Sequence, residues 1–181
     1  MPADYADQVV ELTRAMVRHD TVNPPGQEQR LAEFLAGRLR DLGLTAEVQP
    51  VAGDRANVIG RIAGTGEAPP LILCGHLDTV PIGDAPWRFD PFGAEVAEGK
   101  IWGRGTADMK SGLAAAIVAA GKIARDAGGR LKGDLIVAGT AGEEVDRIGA
   151  VRLIEEGVLP AGPLLIAEPS GNEIYTAPCR S

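Results

Sequence analysis

The chain has 181 residues, 45% of them hydrophobic, and a formal net charge of -7. This length suffices for one domain with a sizeable core, and the acidic balance excludes a nucleic-acid-binding surface, which is basic. Cys74 and Cys179 lack CxxC spacing and exclude a disulfide framework; with no signal-peptide pattern and no apolar run of membrane length, a cytoplasmic protein without membrane contact is expected.

Residues 4–19 carry Val9, Val10, Leu12, Met16 and Val17 at helical spacing, and the breakers Thr21-Val-Asn-Pro-Pro-Gly26 end this first predicted helix. His19 falls at its C-terminal end, where the macrodipole favours a cationic side chain. A second helix is predicted over 27–42, with Leu31, Phe34, Leu35 and Leu39 on one face and Gly43 as its stop. Strands follow over 45–49, 57–62 and 71–74; the first two alternate and the third is a continuous apolar run. After a long connection containing Trp87, Phe89 and Phe92, residues 100–103 read as a short strand. Residues 106–125 are small and apolar on nearly all sides, which predicts a helix buried on a sheet, with Asp108 in its first turn. A strand over 134–138, a helix over 148–156 and a strand over 163–167 complete the alternation, and 172–176 reads as one more strand. The pattern implies an α/β fold with a mostly parallel sheet flanked by helices.

Three of the apolar strands end in the same kind of chemistry. The first leads into His76 and Asp78, the second into Glu143 and Glu144, and the third into Glu168. In parallel neighbours these side chains meet at the carboxyl edge of the sheet, where ligands gather in open α/β folds, and Asp108 at a helix start can join them. One imidazole among five carboxylates suits a divalent cation, because carboxylates a few Å apart raise one another's pKa. Zn²⁺ fits such mixed ligation, with Co²⁺ or Mn²⁺ as substitutes. Each residue also has a plainer reading: Asp108 as a partner of a helix dipole, Glu143 and Glu144 as a solvated helix turn, Glu168 as a strand end, His76 as a core histidine. What favours a site is that one sheet edge accounts for all of them. Gly103-Arg-Gly105 lacks the third glycine of a dinucleotide fingerprint, Gly121-Lys122 lacks the upstream glycine of a phosphate loop, and there is no Gly-x-Ser-x-Gly elbow.

Gly75-His-Leu-Asp-Thr-Val-Pro81, Gly103-Arg-Gly-Thr-Ala-Asp-Met-Lys-Ser-Gly112, Ala141-Gly-Glu-Glu144 and Ala167-Glu-Pro-Ser170 together resemble the motif series of the M20 metallopeptidase family. The last of them leans towards its acetylornithine deacetylase and succinyl-diaminopimelate desuccinylase branch. The resemblance implies a zinc-exopeptidase-like catalytic domain that hydrolyses the amide of an N-acyl amino acid or small peptide, using two Zn²⁺ ions per complete site. It implies His76 and Glu168 as ligands of one metal, Asp108 as the bridge and Glu144 as a ligand of the second. Glu143 would be the general base, Asp78 would orient His76, and a cis peptide would join Asp108 to Met109. Aminoacylases and dipeptidases are the nearest alternatives within the enzyme class, and a non-catalytic metal-binding fragment is the alternative outside it.

Family members of this kind are about twice as long. Residues 1–175 are expected to be the first part of the catalytic domain, and 176–181 the start of a lid or dimerisation domain. The second-metal histidine and the lid histidine implied by the resemblance have no counterpart, since the chain's two histidines are His19 and His76. A truncated chain that binds one metal weakly and catalyses little or nothing is therefore expected, with homodimer formation a property of the full-length protein.

Overall fold

A computed structural model describes residues 4–128, 130–171 and 173–176. Cys179 and all but Thr176 of the expected lid segment lie outside the described residues, as does Asn172.

The elements follow in the order α1 (Tyr5–Val17), α2 (Gln29–Asp41), β1 (Thr45–Ala52), β2 (Arg55–Ile62), β3 (Leu71–His76), β4 (Glu95–Ala97), β5 (Lys100–Trp102), α3 (Ser111–Ala127), β6 (Leu135–Thr140), α4 (Ile148–Glu155) and β7 (Leu164–Ile166). The main sheet has the order β1-β2-β6-β3-β7. β3 pairs in parallel with both β6 and β7, while β2 is antiparallel to β1 and to β6. Four of its five described strands thus run one way, and β2 alone runs against them. The mostly parallel α/β sheet is as expected. The reversal at β2 follows from the two residues between β1 and β2, which allow a hairpin and no crossover.

The continuous apolar run of β6 becomes a strand covered on both faces, whereas the apolar run of β7, read as another buried strand, stays exposed. Every residue of β6 is buried: Leu135 and Val137 join α1, α2 and α3 in the larger core, while Ile136 and Ala138 pack with Leu153 of α4 on the other side. α3 is less enclosed than its composition suggests. Leu113, Ala114, Ile117, Val118 and Ala120 are buried, but Ala115 and Ala119 face solvent. Alanine tolerates both environments, which hides the amphipathic face.

Three expectations need correction. The helix predicted from Thr106 begins at Ser111, because residues 106–110 form a wider turn broken by non-helical dihedrals at Asp108 (φ -117°, ψ 98°) and Met109 (φ -130°, ψ 28°). Residues 173–176 form no strand. His19 lies just beyond α1, yet its pKa is lowered, first by burial and then by Lys110 and Arg30. The cation at that helix end is Lys110, whose Nζ donates to the carbonyls of Met16 and His19.

Candidate metal centre

The centre grows from the register of the three parallel strands. His76, the last residue of β3, pairs with Thr140 at the end of β6, while Cys74 pairs with Ile166 at the end of β7. The chain leaving β6 therefore reaches Ala141–Glu144, and the chain leaving β7 reaches Glu168, both at the edge where His76 sits. Gly112 in the first turn of α3 completes the approach: a Cβ there would collide with the carbonyl of Ala167, so only glycine lets the helix lie against the end of β7.

His76 is buried, with 2% of its surface exposed. Its Nδ1 donates to the backbone carbonyl of Asp78 at 2.9 Å, and the Asp78 carboxylate stands 3.6 Å from the same nitrogen. That leaves Nε2 facing outward, 3.1 Å from Asp108 Oδ1 and 3.7 Å from Glu168 Oε1. Asp108 is carried there by its break in the helix; the peptide to Met109 is cis, as the resemblance implied, and Met109 is buried with its Sδ against the His76 N–H. One ligand atom from each of His76, Asp108 and Glu168 lies within 4.8 Å of the other two. Glu143 and Glu144 stand beside this group on the turn after β6 and are not part of it.

Burial by itself would lower the His76 pKa, but Asp78, through hydrogen bonding and charge, and then Glu168, outweigh it and raise it to about 9. Burial raises Glu168, with Asp108 and Glu143 adding to the effect, and burial also raises Glu144, with Asp108, Asp78 and Glu143 adding. The carboxylates are crowded enough to oppose their own ionisation, and positive charge relieves them. The donor set therefore fits a divalent cation: an imidazole nitrogen with its tautomer fixed by a carbonyl, plus two half-exposed carboxylates.

Asp78 does more than face His76. Fully buried, it accepts from Asn23 Nδ2 at 2.9 Å and from the backbone N–H groups of Glu143 (3.0 Å) and Glu144 (3.2 Å). These donors and His76 hold its pKa below the usual carboxylate range, against the upward push of burial. Asn23 was passed over in the sequence as part of a breaker cluster. The bridge from Val22 to Thr79 and the Thr21 hydroxyl on the Leu77 carbonyl (2.7 Å) explain how that cluster reaches the site.

A buried histidine and two carboxylates meet at the carboxyl edge of a mostly parallel α/β sheet, in a group that could hold a metal ion. The sequence profile of peptidase family M20/M25/M40 matches residues 72–179, and the chain belongs to that family. It is 38% identical over 167 residues to acetylornithine deacetylase of Salmonella paratyphi B, covering 89% of this chain and 43% of the relative. It is 32% identical over 158 residues to N-formyl-4-amino-5-aminomethyl-2-methylpyrimidine deformylase of Bacillus subtilis, covering 85% and 37%. Its fold is similar to that of an M20 family metallo-carboxypeptidase from Sulfolobus solfataricus, with a TM-score of 0.75 at 20% identity over 91% of this chain and 37% of that one. The chain spans about two-fifths of the length of the curated relatives it matches.

Proposed function

We propose that this chain is the first part of the catalytic domain of a metal-dependent amidohydrolase acting on a small N-acyl amino acid or peptide. The observation that carries the reading is the convergence of His76 Nε2 with the Asp108 and Glu168 carboxylates at the sheet edge. His76 and Glu168 would hold one divalent cation, Asp108 would bridge to a second, and Glu144 would serve the second. Zinc suits this set, with cobalt or manganese as substitutes. Such cations supply polarisation of the scissile carbonyl and acidification of a water.

The chain's own residues do the rest. Glu143, exposed on its turn, would take the proton of the attacking water and deliver it to the leaving amine, a transfer that needs a carboxylate within hydrogen-bond reach. Asp78 would act through others, keeping Nε2 of His76 turned outward and the Glu143–Glu144 backbone in place. We read the chain as one portion of a longer enzyme, because it spans about two-fifths of the length of its relatives and its other histidine, His19, packs against Phe34. Titration of the 181-residue chain with Co²⁺ and assay against N-acyl amino acids tests both levels. One weakly bound equivalent with little turnover is expected. Brisk metal-dependent turnover by this chain alone would refute the partial-domain reading, and no metal uptake would refute the site.

A further inference from the structure

The turn that carries Glu143 and Glu144 belongs to no helix or strand, yet its backbone N–H groups are all engaged. Ala141 N–H donates to Asn57 Oδ1 (2.9 Å), Gly142 N–H to Glu28 Oε1 (3.1 Å), and those of Glu143 and Glu144 to the two oxygens of Asp78. Four consecutive donors are thus taken by three side chains from β2, from the start of α2 and from the end of β3. All three acceptors are fully buried.

The setting of the two acceptors other than Asp78 is specific. Asn57 uses its amide on both sides: Oδ1 receives Ala141, while Nδ2 donates to the carbonyl of Gly149 (3.0 Å) and to Gln49 Oε1 (2.8 Å). Its orientation is therefore fixed. Glu28 buries a carboxylate beside Arg55, with contacts of 3.4 Å, and Arg55 reaches on to Asp146 at 2.9 Å, two residues past Glu144. Gly142 has φ of +76°, and a Cβ there would strike the Arg55 guanidinium and Asp146. A carboxylate is costly to bury, and an apolar residue would fill the same space more cheaply. What the apolar residue lacks is an acceptor for the Gly142 N–H.

We propose that Glu28 and Asn57 are positioning residues for the Glu143–Glu144 pair, their buried side chains holding the turn that presents both carboxylates to the His76–Asp108–Glu168 cluster. The assignment rests on the reading of Glu143 as base and Glu144 as ligand. Both residues are fully buried and act on the backbone that carries those two.

Amide hydrogen exchange on the full 181-residue chain tests it, with Mn²⁺ as a paramagnetic probe of the cluster. In Glu28→Leu and Asn57→Leu, exchange at residues 142–144 is expected to accelerate at least about tenfold, while the β6 amides change less than about twofold. Mn²⁺ broadening of the Glu144 side-chain signals is expected to fall in parallel. Glu28→Gln, which keeps an acceptor for the Gly142 N–H, restores both at its position. A general loss of stability would move β6 and the turn together and would not be rescued, and that pattern overturns the proposal. If the leucine variants fail to fold, Glu28→Met, which lacks the acceptor, and Asn57→Ser replace them; wild-type exchange across the turn in both overturns it equally. Wild-type chain that shows no Mn²⁺ broadening refutes the metal site, while the exchange rates still decide whether Glu28 and Asn57 hold the turn.

Discussion

Lys110 Nζ lies 2.9 Å from the carbonyl oxygen of His19 and 3.2 Å from that of Met16, so a fully buried ammonium closes the C-terminal end of α1. The contact ties the first helix to the turn that carries Asp108. It uses the negative end of a helix dipole and two carbonyls to hold a charge that burial disfavours, and the lysine pKa falls to about 8. Lys110→Met fills the space without donating. The expected loss is about 1–3 kcal/mol, the usual cost of leaving buried acceptors unpaired, read as a lower urea midpoint with an unchanged slope. A methionine variant as stable as the parent would show that the ammonium contributes nothing there.

His19 has a pH signature of the opposite kind to a helix-end cation. Its folded pKa lies below 6.5 through burial and the neighbouring Lys110 and Arg30. Between that folded value and 6.5 the unfolded chain binds a proton that the folded chain does not, so stability rises with pH across the window. The contribution is complete above pH 6.5 and is lost as pH falls through the folded pKa. Unfolding free energies of the parent and His19→Gln, measured from pH 8 to pH 5, are expected to converge on acidification. Parallel curves would mean that His19 titrates alike in both states.

The legible parts of this molecule are those written in periodicity. β3, β6 and the strand before Glu168 are apolar runs bounded by glycine, proline and acids, and their parallel pairing brings His76, Glu143, Glu144 and Glu168 to one edge. Local patterns conceal the rest. β4 was hidden because its hairpin to β5 turns through Glu98-Gly99, with φ of 56° and 72°, where Asn-Gly is the familiar signal. The break at Asp108 and Met109 was hidden because Thr-Ala-Asp-Met-Lys contains neither glycine nor proline, and the cause is tertiary: Met109 is drawn under the end of β3. Glu28 and Asn57 carried a faint signal, as polar residues among the apolar positions of α2 and β2. Their partners are more than eighty residues away, which no local pattern conveys.

Asp78 is the residue whose loss reaches furthest. Asp78→Ala strands three donors, from Asn23, Glu143 and Glu144, and removes the buried carboxylate beside His76. Removing one partner of a buried charged network costs about 3–5 kcal/mol. Loss of an outer partner of a metal-binding histidine lowers metal affinity by about 10–100-fold. Calorimetric melting and Co²⁺ titration of the same sample are expected to show both effects. A variant that melts early but takes up cobalt as the parent does would confine Asp78 to a structural role.

β7 pairs with β3 on one side, and among the described residues nothing pairs with its other edge. Leu164, Leu165 and Ile166 are each more than half exposed, and Ile154 of α4 is 77% exposed. An unpaired, uncharged apolar edge is a template for further strand pairing and for association. The same strand delivers Glu168, so a disturbance at this edge also reaches the cluster. The isolated chain is therefore expected to bind a hydrophobic dye and to self-associate at micromolar concentration. Leu165→Lys should suppress both while leaving the melting of the α1–α3 core within about 1 kcal/mol, since exposed positions contribute little. Light scattering and dye fluorescence on the parent and this variant decide the matter: a monodisperse parent with no dye signal would mean that the edge is covered in solution.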